Sequence, residues 1–171
     1  GLDLVDGGPP RVGGAVYYAA RVLRFLGHPA VLATKFAERD RAIVAPLFRL
    51  GVPVEAGPAS STISFRIDNE PGGRRMAIET LGDPWTPEEA QGWLTRALAG
   101  TDYLHAGALT RADFSPETLS TLSTGRILSF DGQGLVLDYE GRAYVFCGKG
   151  CFLEGSSLEG PGPKERIEIL S

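Results

Sequence analysis

Apolar residues recur along the first third of the chain with two spacings that alternate from segment to segment. Spacing of three and four residues predicts helices over residues 13–27 and 38–51, each ending on a glycine. Pro46 is expected to kink the second helix. Each helix is followed by a short apolar run, PAVLATK or VPVEA, that is typical of a buried strand. This helix–strand alternation predicts a parallel sheet with helices on its faces.

Strict alternation of apolar and polar residues replaces that pattern at about residues 60–82. The apolar side chains of Ile63, Phe65 and Ile67 share one face of a strand, NEPGG is a turn signal, and RRMAIET runs back. We therefore predict a β-hairpin with one apolar face. Because a lone hairpin is only marginally stable in water, this face is expected to pack on the body of the protein, a ligand or a second copy.

Downstream of the hairpin, the helix and strand signals resume. Helices are predicted over residues 83–100 and 115–123, with Thr86 and Ser115 as their N-caps. The remaining predicted strands are TDYLHAGAL, RILSFDGQG and two runs near residues 142–146 and 166–170. Since neither a repeat nor a linker divides the chain, we interpret residues 1–171 as one α/β domain.

Charge and composition narrow the classes of function. The net charge is −4 and Lys and Arg are scattered, so no nucleic-acid-binding surface is predicted. No apolar run is long enough to cross a membrane and no signal peptide is visible, which favours a cytoplasmic location. Cys147 and Cys151 have no histidine near them in sequence and are interpreted as reduced thiols around a glycine-rich turn, not as a metal site.

Five segments, taken together, resemble a known family. They are VGGAVYYAARVLRFLG, LATKF with the acidic helix and LGV after it, the hairpin STISFRI…GGRRMAIETLGDPW, YLHAGAL, and ILSFDGQG. In this order they resemble the ribokinase-like carbohydrate kinases, also called the PfkB family, from about Asp3 to Gly134. The resemblance implies a Rossmann-like, mostly parallel sheet with helices on both faces, and it implies that the hairpin is a lid over the substrate.

The chain departs from the family pattern at several positions. Tyr18 stands where the family carries an Asn that touches the sugar, and DGQ at Asp131 replaces D-x-N. The GAGD motif, which supplies the family's anion hole and catalytic base, is absent. The resemblance also implies that the family's first core strand lies before Gly1 and is missing from this sequence. The resemblance therefore implies a truncated domain that carries mainly the substrate-binding side and no catalytic residue.

The resemblance places a sugar or nucleoside site at the start of the chain. Asp3 is expected to grip substrate hydroxyls, the alternative being a solvated aspartate. Gly13 and Gly14 can bring backbone N–H groups against a ligand at a helix N-terminus, or can serve a turn that needs positive φ. Tyr18 is expected to stack on the substrate, unless both it and Tyr17 belong to the core.

Five further residues are implied in the same site. Phe65 lies on the apolar face of the lid, where it can close over a ligand or pack against a second lid. Arg75 is expected to meet a charged substrate group or to be solvated. His105 and Gly107 end a core strand, where α/β sheets bind ligands, although a buried and hydrogen-bonded histidine is the alternative. Asp131 ends the next strand and is expected to line the cleft.

The activity implied by the resemblance is ATP-dependent phosphorylation of a sugar or nucleoside hydroxyl, with Mg²⁺. No ATP-binding or Mg²⁺-binding residue is identified, since GxxxxGK[ST] is absent and GKGC, with Lys149, is interpreted as a turn. The alternative is a non-catalytic small-molecule-binding or dimerisation module derived from the same fold. A homodimer is expected through the lid, because its apolar face would otherwise be exposed.

Overall fold

The computed structural model describes residues 1–110, 112–131, 145–147 and 151–153. The strands are β1 (Leu2–Val5), β2 (Arg11–Val12), β3 (Leu32–Phe36), β4 (Val54–Pro58), β5 (Ser64–Glu70), β6 (Gly73–Thr80), β7 (Tyr103–Gly107), β8 (Ile127–Asp131), β9 (Val145–Cys147) and β10 (Cys151–Leu153). The helices are α1 (Ala15–Phe25), α2 (Arg41–Phe48), α3 (Pro87–Glu89), α4 (Thr95–Ala97) and α5 (Pro116–Ser123). A 3-10 turn, Glu38–Asp40, precedes α2, and a π-helical turn, Ala90–Leu94, joins α3 to α4.

The strands form parallel pairs and one mixed sheet. β3 pairs in parallel with β4, and β7 pairs in parallel with β8. The mixed sheet has the order β2-β1-β5-β6, in which β1 is parallel to β5 and antiparallel to β2. The predicted α/β class is confirmed. The hairpin formed by β5 and β6, hereafter the lid, is also present, and β1 extends it into a larger sheet that the sequence analysis did not predict.

Side chains on the two faces of β3 pack into separate apolar clusters. On one face Leu32 and Phe36 pack with residues of α1 and α2, including Ala20, Val44 and Leu47. Ala33, on the other face, packs against the cluster of Ala90, Leu94, Leu98 and Leu122. Because successive side chains of a strand point to opposite faces, β3 lies between two helical layers, as the predicted helix–strand alternation requires.

The predicted helix caps at Thr86 and Ser115 are confirmed. The Thr86 hydroxyl accepts a hydrogen bond from the Glu89 N–H at 3.2 Å, and the Glu89 carboxylate accepts one from the Thr86 N–H at 3.0 Å. The Ser115 hydroxyl accepts from the Thr118 N–H at 3.1 Å. Pro46 lies in the last turn of α2, which ends at Phe48, so the helix is shorter than predicted.

In the C-terminal part of the chain, the structure describes one short pair of strands. β9 and β10 pair antiparallel, with Cys147 opposite Cys151 in the register. Lys149 and the predicted strand at residues 166–170 lie outside the described residues. Within the described ranges, no helix has the length and apolar character that a membrane span requires.

Two carboxylates fix the lid at opposite ends. At its base, Asp83 accepts hydrogen bonds from the hydroxyl and the N–H of Ser60 at 2.6 and 2.7 Å. Asp6 accepts from the N–H and side-chain amide of Asn69 near the tip, at 2.8 and 2.9 Å. These hydrogen bonds lower the pKa of both Asp83 and Asp6 below the ordinary value.

We expect acid to loosen the lid. A carboxyl with a lowered pKa in the folded state stabilises the fold fully above its unfolded pKa of about 3.9, and this stabilisation is lost as the pH falls through the lowered value. Amide protection factors at Ser60 and Asn69, measured by hydrogen exchange, should therefore fall between about pH 6 and about pH 3. Equal protection factors at both pH values would contradict the assignment. In an Asp83→Ala variant, the protection factor at Ser60 should no longer depend on pH in this range, whereas that at Asn69 should still fall.

Candidate functional site

Asp3 and Gly13 lie in direct contact. The antiparallel pairing of β1 with β2 sets Asp3 opposite Arg11 and brings the following residues alongside β1. A Cβ placed on Gly13 would lie 2.7 Å from Oδ1 of Asp3 and would overlap Oδ2. Only glycine leaves room for the carboxylate in this position. The structure therefore brings together two of the residues that the sequence analysis selected.

The two glycines have different local roles. The N–H of Gly13 donates to the carbonyl of Gly1 at 3.0 Å, so it is already used within the protein. Gly14 is the N-cap of α1 and has a φ of 93°, a conformation that favours glycine. No described side chain caps this end of α1. The predicted donation of the Gly13 and Gly14 N–H groups to a ligand stays a prediction.

The Asp3 carboxylate is partly buried and accepts no hydrogen bond from the residues that the structure describes. Phe65 is its register partner on β5, so the two side chains share one face of the mixed sheet. Phe65 is 5% exposed. The carboxylate therefore lies beside a buried aromatic ring and on the lid-bearing sheet.

The carboxyl ends of β7 and β8 form the other side of the site. Gly107 and Asp131 are register partners there, and the carbonyl of Asp131 accepts from the Ala108 N–H at 3.2 Å. A Cβ on Gly107 would lie 3.2 Å from the Cβ of Ala15. Glycine at position 107 therefore allows the first turn of α1 to approach the end of β7 closely.

His105 is exposed, so the alternative of a buried histidine is wrong. Its Nδ1 lies 3.2 Å from the hydroxyl of Ser129 on the neighbouring strand. His105, Gly107, Gly13 and Gly14 all line one cavity of about 960 Å³. Asp3 is not among the lining residues, although its carboxylate contacts Gly13, which is one of them.

Tyr18 and Arg75 lie apart from these residues. Tyr18 is 47% exposed, so it is not a core residue, and it lines a shallower cavity of about 590 Å³ together with Arg11 and Arg21. The side chain of Arg75 is 75% exposed and lies 3.7 Å from Glu70 near the lid tip. The proposed contacts of both with a substrate stay predictions.

Arg11 is a residue that the sequence analysis missed. It is exposed, it stands beside Asp3 in the register, and it shares the shallow cavity with Tyr18. Its position depends on the pairing of β1 with β2. The signal in the sequence is the Gly-Pro turn DGGPP between two short runs.

The lid has an apolar face that is only partly covered. Phe65 and Ile67 are buried, whereas their partners across the hairpin, Ile78 and Met76, are 39% and 42% exposed. The predicted homodimer through the lid stays a prediction. Among the described residues, no group of three or more His, Cys, Asp or Glu side chains could hold a metal ion.

The arrangement of parallel strand pairs, flanking helices and a β-hairpin is the ribokinase-like α/β fold. A pyrophosphate-dependent kinase in the ribokinase family, solved with sulfate, is similar with a TM-score of 0.66 and 23% identity over 83% of this chain and 50% of that one. A structure described as a pyrophosphate-dependent kinase in the ribokinase family with a pyrophosphate analog and myo-inositol has a TM-score of 0.64 and 22% identity. The match covers 83% of this chain and 49% of that one. Adenosine kinase from Anopheles gambiae has a TM-score of 0.57 and 20% identity, over 71% of this chain and 40% of that one.

This similarity establishes the fold, but the similarity extends over only part of each matched structure. The chain spans about half the length of the solved structures it matches. No protein-family model matches the sequence, and no curated protein matches it. The structural neighbours named above are kinases.

Proposed function

We propose that this chain binds a polyhydroxylated small molecule, a sugar, cyclitol or nucleoside, as the acceptor side of a kinase that phosphorylates an alcohol group. The observation that carries the proposal is the Asp3 carboxylate, held against Gly13 and without a hydrogen-bond donor from the described residues. The kinase fold of the structural neighbours supports the same class of function, and one of them is described with myo-inositol.

The chemistry of the site suits hydroxyl groups. A carboxylate accepts hydrogen bonds from two neighbouring hydroxyls at once, and hydrogen bonds to a charged acceptor contribute about 1.5–3 kcal/mol each. Phe65, the register partner of Asp3 on β5, is only 5% exposed, so a contact of its ring with the substrate stays a prediction. The lid, which forms two strands of the same sheet as Asp3, would exclude water from the bound hydroxyl, which the transfer of a phosphoryl group to an alcohol requires.

The described residues can position the substrate, and among them we identify no site for the phosphoryl donor. Gly107 and Asp131 lie at the carboxyl ends of β7 and β8, with His105 two residues before Gly107, and the proposal places the reacting part of the substrate there. ATP and Mg²⁺ stay implied by the family resemblance. Since no described cluster of side chains fits Mg²⁺, we assign no step of phosphoryl transfer to these residues.

The test is ligand binding to the full 171-residue chain. Titrations with myo-inositol, D-ribose and adenosine, followed by NMR or calorimetry, should give saturable binding for at least one of them. Asp3→Asn keeps the size of the side chain and removes its charge, and should weaken that binding by about 10-fold or more. Asp40→Asn, at the start of α2, is the matched control and should leave the affinity unchanged.

Two outcomes would change the proposal. Absence of binding by all three compounds at millimolar concentration, or equal affinities for the Asp3 variant and the parent chain, would contradict it. If binding is found, adding ATP with Mg²⁺, or pyrophosphate, separates the two functional classes. Formation of a phosphorylated product supports the kinase, whereas binding without product supports the non-catalytic binding module.

A further inference from the structure

The shallower cavity, of about 590 Å³, lies where β2, α1 and α2 meet, and its lining residues all fall between Pro10 and Pro46. From α1 it receives Tyr17, Tyr18 and Arg21. Residues three and four apart share one face of a helix, so these three point to the same side of α1. The cavity is therefore built by one continuous stretch of described chain, separate from β7 and β8.

The charged residues that line this cavity are Arg11 and Arg21, both of them exposed. Among the described residues, neither forms an ion pair with a carboxylate. Asp6, whose pKa is lowered first by hydrogen bonds from Asn69 and to a smaller extent by the charge of Arg11, holds Asn69 with both carboxylate oxygens. The Arg21 guanidinium lies 5.7 Å from the centre of the Tyr17 ring. Two cations thus border the cavity without a counter-ion.

The surrounding sequence is positively charged as well. Residues 11–49 include seven Lys and Arg and two Asp and Glu, although the whole chain has a net charge of −4. One of the two acids, Glu38, already binds the guanidinium of Arg41 with both carboxylate oxygens. A local excess of positive charge attracts small anions to the surface that carries it.

The rest of the lining is aromatic and apolar. The Tyr18 ring is 47% exposed and meets Tyr17 edge-on, with 5.2 Å between the ring centres. Val12, Ile43 and Pro46 complete the apolar part of the surface. An exposed aromatic ring beside apolar side chains favours a flat ring on the ligand. The cavity therefore combines a surface for a ring with two positive charges.

We propose that this cavity, hereafter the arginine pocket, binds a small phosphate monoester whose phosphate group is attached to a planar ring. Arginine suits phosphate oxygens because its guanidinium donates two hydrogen bonds in parallel. Two arginines favour a phosphate monoester, which carries a charge of about −1.5 to −2 at pH 7, over a singly charged carboxylate. Asp3, His105, Gly107 and Asp131 do not line the arginine pocket, so the proposal does not depend on the proposed function.

The experiment titrates phenyl phosphate into the full chain labelled with ¹⁵N. The side-chain Nε–H signals of Arg11 and Arg21 should shift in a saturable way, with a dissociation constant of about 1 mM or below, whereas amide signals of the lid should not shift. Inorganic phosphate, which lacks the ring, should bind about 5- to 10-fold more weakly. Phenol has the ring without the charge and should not bind at these concentrations.

Variants at exposed positions test which residues hold the ligand. Arg11→Gln and Arg21→Gln should each weaken phenyl phosphate binding by about 10-fold or more, because each removes a charged donor. Arg49→Gln removes the same charge just after α2, outside the arginine pocket, and should change the affinity by less than about twofold. Tyr18→Ala should reduce the affinity for phenyl phosphate to that for inorganic phosphate and leave the latter unchanged. Circular dichroism verifies that each variant is folded.

Three results would overturn the proposal. The first is the absence of Arg11 and Arg21 shifts at millimolar phenyl phosphate. The second is an equal loss of affinity in Arg49→Gln and Arg11→Gln, which would mean that net charge alone attracts the anion. The third is displacement of phenyl phosphate by whichever polyol or nucleoside the chain binds, which would place the anion at the acceptor site. If the chain binds none of those compounds, the phenyl phosphate titration still decides this proposal by itself.

Discussion

A Gly13→Ala variant is expected to stay folded and to lose polyol binding. The added Cβ would occupy the position of the Asp3 carboxylate. Because that carboxylate is the end of a short side chain with rotatable bonds, it can turn away, and the backbone of β1 and β2 need not move. The substrate would then lose its charged acceptor, so its affinity should fall by about 10- to 100-fold, as in Asp3→Asn.

The stability of the same variant distinguishes displacement of Asp3 from general damage. Thermal unfolding should show a small change, because the strain is relieved by one rotation of a partly exposed side chain. Gly72→Ala in the lid turn is the control, since a Cβ there would meet nothing within 4 Å. It should change neither binding nor stability. Binding by Gly13→Ala that equals that of the parent chain would refute the role of the Asp3–Gly13 contact.

The local features of this fold were predictable from the sequence because each depends on residues close together in the chain. The Thr86 and Ser115 caps follow from hydroxyl side chains just before a proline-initiated helix. The lid follows from strict alternation around a glycine-rich turn. In both cases the interacting groups lie within a few residues, so the pattern itself contains the contact.

The features that the sequence did not predict depend on distant pairing. β1 pairs with β5 across about sixty residues, and only this register places Phe65 beside Asp3. The donation of the Gly13 N–H to Gly1 likewise depends on how β2 aligns with β1. Spacing along the chain indicates which residues prefer strands and gives no register between them.

The candidate site was only partly predictable from the sequence, because part of it also depends on contacts between distant residues. The family resemblance predicts a substrate site at Asp3 and Gly13, and the structure places these two residues in contact. It placed Tyr18 in the same cleft, whereas the structure places that ring with Arg11 and Arg21 at a separate, shallower cavity. Which side of α1 faces the substrate is determined by tertiary packing, and the helical pattern alone does not specify it.

The ion pair between Lys35 and Glu89 should give the largest stability effect in the described part of the chain. The ammonium group of Lys35 donates to both carboxylate oxygens of Glu89 at 2.8 and 3.1 Å and to the carbonyl of Pro84 at 2.7 Å. The two side chains are 6% and 21% exposed, and the ammonium lies 4.8 Å from the centre of the Trp85 ring. Glu89 also completes the capping box with Thr86. One carboxylate therefore neutralises a buried cation and caps a helix.

Replacing Glu89 by alanine should lower the free energy of unfolding by about 3–5 kcal/mol, as measured by urea denaturation. The loss arises mainly because Lys35 becomes a buried charge without a counter-ion, and to a smaller extent because the cap is lost. The double variant Lys35→Met/Glu89→Gln tests this cause. It removes both charges, keeps the volume, and leaves a glutamine that can still form the capping box. Its stability should therefore approach that of the parent chain, since buried ion pairs often contribute little beyond their apolar replacements. A double variant as unstable as Glu89→Ala would show that the uncompensated charge is not the cause, because the double variant contains none.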